Sequence, residues 1–352
     1  MRERIPVAVL GATGTVGQKF VRLLTGHPWF DLVAVAASDA SAGRRYGEVV
    51  RWREPAPLPD RIAHLVVQRS APPLPGRIVF SAIEAERAIE IEQAFARAGQ
   101  LVVSNTKSHR MHPAVPLLVP EVNAGHVHLL AHQRATEGWP GGIVCNPNCS
   151  TAGLVLPLGA LHDAFGVERV FVATMQAVSG AGYPGVPSLD ILGNVVPHIG
   201  GEEEKIEAET PKILGRFTPS GIEPAPVRVS AHTNRVPTLD GHLEVVSVGL
   251  ARRVTPAEAA EALAAWTGAD GVADLPSSPR PPLEVDHRPD RPQTRLDLDR
   301  GAGMAVTVGR IRPCPLLDLR FALLSHNTVR GAAGQALQIG ELLVAEGLAG
   351  GG

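Results

Sequence analysis

The turn that follows the first apolar run constrains the fold of this chain most. Residues 5–10 read as a buried strand, Gly11-Ala-Thr-Gly14-Thr-Val-Gly17 follows at once, and Val16, Phe20, Leu23 and Leu24 then repeat at helical spacing. A strand, a glycine turn and a helix in succession form the opening unit of a dinucleotide-binding sheet. Glycines allow the tight turn and let N–H groups at the helix start approach a pyrophosphate. Thr13 and Thr15 add hydroxyl donors. The spacing differs from the commoner Gly-x-Gly-x-x-Gly, so an ordinary glycine-rich connection is the competing reading. A P-loop is excluded, because its Gly-Lys-Ser/Thr ending is missing.

The same alternation continues. Strand-like runs at 32–37, 78–82, 101–103 and 117–119 are interleaved with an amphipathic stretch at 85–98, closed by Gly99 where a helix C-cap belongs. This predicts an α/β fold with a Rossmann-like parallel sheet. After Cys149 the pattern changes. One helix at 154–164 precedes longer strands at 167–178, 227–231, 243–250, 305–311 and 317–324, with a capping box at Thr255-Pro-Ala-Glu258 and a final helix at 329–345. That pattern predicts an α+β catalytic and dimerisation domain with a mixed sheet. The expected division is 1–148 with 327–352, to which the last helix returns, and 149–326. Two Pro/Arg-rich segments, 54–76 and 274–295, read as surface excursions, since proline at that density cannot support central strands.

Composition narrows the function classes. With 352 residues, about two domains are expected. With 33 Lys+Arg against 35 Asp+Glu, no broad electrostatic grip on nucleic acid or an anionic membrane is expected. Three sparse cysteines argue against a disulfide framework. The first apolar run is too short for a signal peptide, and no stretch nears the roughly 18 apolar residues of a membrane span. A cytoplasmic globular protein is expected.

The chemistry concentrates at Cys145-Asn-Pro-Asn-Cys149-Ser-Thr. Cys149 stands just before a helix, where the macrodipole favours a thiolate and depresses the thiol pKa. A buried inert cysteine is the plain alternative. A zinc pair lacks completing ligands, and no metal is expected. Gln176 shares a strand face with Val170, Val172 and Thr174 near that strand's end. Ser179-Gly180-Ala-Gly182 reads as a loop suited to close approach by a ligand, or as a structural turn. Arg235 offers a bidentate grip on a carboxylate, and His242, seven positions on, an acid/base group, although a lone His is more often structural. Ser38, Ser41, Arg44 and Arg45 suit the 2′-phosphate of NADP. Asp39 suits the free ribose of NAD, so NAD is not excluded. Glu202-Glu-Glu-Lys205 reads by default as a solvated helix face, and Arg110 as a surface charge.

Taken in order, these pieces resemble the aspartate-semialdehyde dehydrogenase family, particularly its archaeal/fungal-like branch, from Val7-Ala-Val-Leu-Gly-Ala-Thr-Gly-Thr-Val-Gly17 to His326-Asn-Thr-Val-Arg-Gly-Ala-Ala-Gly334. The resemblance implies NADP-dependent reductive dephosphorylation of L-4-aspartyl phosphate to L-aspartate 4-semialdehyde, on the way to lysine, threonine and methionine. It makes Cys149 the nucleophile that carries a thioester, His242 the acid/base and Gln176 an orienting residue. Arg235 grips the α-carboxylate, Glu203 pairs with the α-amine, and Arg110, Asn148 and Lys205 bind phosphate. Asn327 lies near the nicotinamide, while Gly11, Thr13, Gly14, Thr15, Val16, Ser38, Ser41, Ser179, Gly180 and Gly182 line the cofactor. A homodimer or homotetramer follows, with a large sheet face of the second domain as a possible interface. The rivals are an N-acetyl-glutamyl-phosphate reductase, which usually has Gly in place of Asn148 and does not need Glu203, and a non-catalytic dinucleotide-binding regulator, which needs none of the Cys, Gln, Arg and His set.

Overall fold

A computed structural model of the chain describes residues 4–349. Strands β1 (Ile5–Leu10), β2 (Phe30–Ala37), β3 (Gln68–Arg69), β4 (Ile78–Ser81), β5 (Leu101–Ser104) and β6 (Gly142–Cys145) build one parallel sheet in the order β3-β2-β1-β4-β5-β6. All residues of β4, β5 and β6 are buried, as strands covered on both faces require. The chain reverses direction of growth between β1 and β4, which opens a crevice at their carboxyl ends. Helix α1 (Thr15–Leu24) covers one face, and α2 (Ala85–Arg97) covers the other. Helix α3 (Leu129–Glu137) packs beside β6.

Helix α4 (Cys149–Phe165) leaves the end of β6 and is buried from Ser150 to Leu161, so it is apolar all round rather than on one stripe. It connects the first sheet to a second, formed by β7 (Val167–Gln176), β10 (Arg228–Arg235), β11 (His242–Leu250), β12 (Leu283–Asp286), β13 (Val306–Pro313) and β14 (Leu319–Ser325). The order is β10-β7-β11-β14-β13-β12. The outermost pairs, β10/β7 and β12/β13, are parallel and the inner ones antiparallel. The short hairpin β8 (Arg216–Thr218) and β9 (Gly221–Glu223) stands apart. Helices α5 (Glu202–Ile213) and α6 (Pro256–Ala265) pack on the side that α4 covers. Thr255 and Glu258 close the expected capping box at the start of α6.

After β14 the chain makes a π-helical turn (Val329–Ala333) and enters α7 (Gly334–Ala345), whose Leu337, Ile339 and Leu343 pack with Val7, Phe20 and Phe80 of the first sheet. This return is held by a buried ion pair. Arg330 has no exposed surface; its Nη2 and Nη1 donate to Glu121 Oε1 and Oε2 at 2.7 and 3.0 Å, and its Nε donates to the carbonyl of Met304 at 2.6 Å. Burial works to raise the Glu121 carboxyl, but Arg330 and Gln338 hold it below the ordinary range.

Three expectations change. Residues 117–119 form only a single bridge, Leu117 to Cys145, because Pro116 and Pro120 interrupt donation on both sides. Segment 274–295 contributes an edge strand, β12, the one position in a sheet where such a proline-rich stretch fits. Strand β10 runs to Arg235 rather than ending at 231, which places that arginine on the sheet.

Replacing Arg330 alone leaves a buried carboxylate unpaired. Arg330→Met is expected to cost about 3–5 kcal/mol in urea unfolding, with most of the loss recovered in Arg330→Met/Glu121→Leu. A cost below about 1 kcal/mol for the single variant would show that the pair does not hold the return.

Candidate active site

The catalytic residues arrive from the register of the second sheet. Arg235 on β10 pairs with Gln176 on β7, and His242 on β11 pairs with Ser325 on β14, all at strand ends and on the face that α4 covers. One row behind lie Thr233, Thr174 and Glu244. Above this row sits Cys149, the first residue of α4, delivered from β6 by three intervening residues. Gly331 of the returning chain passes against it so closely that a Cβ there would lie 2.6 Å from the Cys149 Cβ.

His242 Nε2 is 3.1 Å from Cys149 Sγ, and the backbone N–H of Ala177 donates to His242 Nδ1 at 3.2 Å. Since that N–H can only donate, the neutral imidazole carries its proton on Nε2, facing the sulfur. Burial, aided by the Arg235 charge, pushes His242 down to about 3. Burial also pushes the Cys149 thiol up to about 12, with Glu202 adding to the rise, although one side of the sulfur stays open to the groove. The expected depression of the thiol pKa is therefore reversed. The N–H groups of Ser150 and Thr151, which would have faced the sulfur's charge, donate instead to the Asn148 side chain at 3.0 and 3.3 Å.

A cavity of about 570 Å³ opens over Cys149, lined by Arg110, Lys107, Asn148, Glu202, Lys205 and Asn327, and by Thr15, Val16, Ser179, Gly180 and Gly182. Lys205 pairs with Glu202 at 2.5 Å, and Asn148 Nδ2 donates to the same carboxylate at 2.7 Å. Arg110 is buried and pairs with Glu209 at 3.0 Å. Glu203 is placed elsewhere: its carboxylate accepts from the Thr233 N–H at 2.9 Å and does not line the cavity. Glu202, one position earlier, lines it. Arg235 Nη1 donates to the Ala177 carbonyl at 2.8 Å, and Gln176 Nε2 to Thr174 at 3.3 Å; neither lines the cavity itself, but Arg235 Nη1 lies directly against Gly180, which does.

The cavity continues along the glycine turn. Gly11 has φ +70, and a Cβ there would meet the Ala82 carbonyl at 2.3 Å; at Gly17 it would meet the Gly11 carbonyl at 2.1 Å. Only glycine allows this turn, which leaves backbone open to a pyrophosphate. Gly11, Thr13, Gly14, Ser38 and Ser70 line a further cavity of about 240 Å³ beside β2. Ser41 lies in the adjoining turn, its N–H donating to the Ser38 carbonyl, and does not line that cavity. Asp39, which favoured NAD in the sequence, faces Arg69 at 3.5 Å, so its charge is partly offset where a 2′-phosphate would sit. Asn327 bridges Ser179 and the N–H of Gly241, joining the two loops that flank His242. The donors and the glycine cradle fit a phosphorylated dinucleotide.

Residues 6–130 match the model of the semialdehyde dehydrogenase NAD-binding domain, and residues 158–330 the semialdehyde dehydrogenase dimerisation domain. The chain is 48% identical to an aspartate-semialdehyde dehydrogenase of Cryptococcus neoformans, with 99% of each covered. It is equally 48% identical to one of Archaeoglobus fulgidus, covering 97% of this chain and 99% of that one. Among solved structures, the aspartate-semialdehyde dehydrogenase of Candida albicans with NADP superposes with a TM-score of 0.91 at 41% identity, over 98% of this chain and 100% of that one.

Glu244, behind His242, was not singled out in the sequence. It is fully buried, neither carboxyl oxygen has a hydrogen-bond partner among the described residues, and burial pushes its pKa well above the ordinary value. The folded chain thus keeps a proton that the unfolded chain gives up near pH 4.5. Stability from this group is full below that pH and is lost as pH rises towards the folded pKa. Glu244→Gln is therefore expected to gain in melting temperature over wild type as pH moves from 5 to 8. An equal difference at both pH values would show that Glu244 titrates normally.

Proposed function

The chain belongs to the aspartate-semialdehyde dehydrogenase family, and from that membership we propose that it reduces L-4-aspartyl phosphate to L-aspartate 4-semialdehyde with NADPH, through a thioester on Cys149. The 3.1 Å contact of Cys149 Sγ with His242 Nε2, at the floor of a groove that also holds the glycine turn and the cations, carries this reading. The product aldehyde leads towards lysine, threonine and methionine.

Cys149 Sγ attacks the acyl carbon, the bond to the phosphate oxygen breaks, and phosphate leaves with the thiol proton, giving the thioester. Arg110, Lys205 and Asn148 line the path of the departing dianion, and their attraction offsets its charge. Bound NADPH, held by the glycine turn, Ser38 and the 179–182 loop, supplies the hydride that reduces the thioester. His242, with its proton on Nε2, gives that proton to the oxygen and takes it back as the carbon–sulfur bond breaks, and a proton from water restores the thiol. Arg235 takes the α-carboxylate. Glu202, rather than Glu203, presents its carboxylate to the α-amine.

The dimerisation domain implies an oligomer. The face of the second sheet opposite α4 exposes Phe171 and Val245 and is the surface by which a homodimer would form; a homotetramer would pair two of these. Among the described residues no helix is long and apolar enough to cross a membrane, and we place the enzyme in the cytoplasm. The domain division proposed from the sequence puts α7 with the first sheet.

Absorbance at 340 nm with L-aspartate 4-semialdehyde, phosphate and NADP tests the reading. Phosphate-dependent NADP reduction is expected in wild type and none in Cys149→Ala. His242→Gln is expected to lower kcat by about 10²–10⁴-fold. Activity only with N-acetyl-glutamate semialdehyde would move the chain to the rival reductase, and activity in Cys149→Ala would overturn the thioester.

A further inference from the structure

The segment Arg51-Trp-Arg-Glu54 runs beside α1 and is pinned to it at both ends. Gln18, almost wholly buried, donates from Nε2 to the carbonyls of Thr13 and Arg51 at 2.9 and 3.2 Å, and its Oε1 accepts from the Arg53 N–H at 2.8 Å. Glu54 is gripped by Lys19 at 2.9 Å and Arg22 at 2.8 Å. The backbone of residues 51–54 is thus fixed to the glycine turn through one amide.

Its two guanidinium groups reach over a cavity of about 460 Å³ whose wall includes Thr13, Gly14, Thr15 and Val16. They meet there on Tyr183: Arg53 stacks 3.2 Å from the ring centroid, and Arg51 Nη1 donates to the hydroxyl at 3.1 Å. Tyr183 follows the 179–182 loop that borders Cys149. Neither arginine has a carboxylate partner among the described residues, so two like charges meet on one ring, Arg53 over its face and Arg51 at its hydroxyl, with no counter-ion. An anion carrying two charges beside the glycine turn relieves that repulsion, and planar guanidinium groups suit phosphate oxygens.

We propose that Arg51 and Arg53 form a cationic seat for the pyrophosphate of the dinucleotide, and that Tyr183 clasps this seat to the catalytic loop. The proposal rests on the cofactor reading above and adds residues that the family resemblance did not supply. The Ser38 and Ser70 end of the groove is left for the 2′-phosphate, so the seat is blind to the difference between NADPH and NADH.

Binding of NADPH and of NADH is measured by quenching of protein fluorescence at two ionic strengths, for wild type, Arg51→Gln/Arg53→Gln and Arg51→Lys/Arg53→Lys. The Gln pair is expected to weaken both dinucleotides by the same factor, roughly 10–100-fold, and to lose part of the salt dependence. The Lys pair, which keeps charge without the planar fork, is expected to recover part of the affinity. Unchanged affinity for both dinucleotides in a folded Gln pair overturns the seat. So does a loss confined to NADPH, which would assign the arginines to the 2′-phosphate. Wild type that binds neither dinucleotide would sink the cofactor reading itself.

Discussion

A guanidinium with no exposed surface sets the geometry of the whole molecule. Arg330 sits where the chain leaves the second sheet, and it grips Glu121 on the first unit and the Met304 carbonyl on the second. Taking such a charge out of water is costly unless every donor finds a partner, so the arrangement tolerates few alternatives. The neighbouring residue, Gly331, is thereby pressed against Cys149. The reactive sulfur is located less by its own helix than by a chain segment that passes it on the way back.

The charge pattern of the site follows from this burial. Cys149 and His242 both favour their neutral forms, the one pushed up and the other down, and burial pushes the Glu244 carboxyl behind them well above its ordinary range. Two cations that line the cavity over the sulfur are already engaged, Arg110 with Glu209 and Lys205 with Glu202. A substrate that brings its own dianion competes for those cations. Pairing of fixed charges at rest keeps the nucleophile quiet without removing it from the groove.

Much of this was legible because it is local. The glycine turn, the capping box at Thr255 and the Gln176 face each depend on residues a few positions apart. Where distant contacts decide, the sequence was silent. Glu202 and Glu203 are both in the first turn of α5, where successive side chains point about 100° apart. Only the packing of α5 against β10, where Thr233 captures Glu203, settles which one faces the groove. The thiol pKa misled in the same way, since the dipole argument is local and the burial that reverses it is not. Glu244 looked like one more polar residue in a strand, because its isolation is a property of the sheet and helix that close over it. The Pro/Arg-rich run near Arg51 carried no periodicity from which to read a purpose, and its register against α1 comes from Gln18 together with the grip of Lys19 and Arg22 on Glu54.

The return of α7 to the first sheet bears on how the chain is made. During synthesis β1 to β6 emerge first, yet Val7, Phe20 and Phe80 are covered by Leu337, Ile339 and Leu343, which come only after the entire second sheet. Until the ribosome reaches them, α1 alone covers this face of the nascent sheet, and the part that α7 will cover stays apolar and open. A chain of this order cannot complete its first unit until the second has been made.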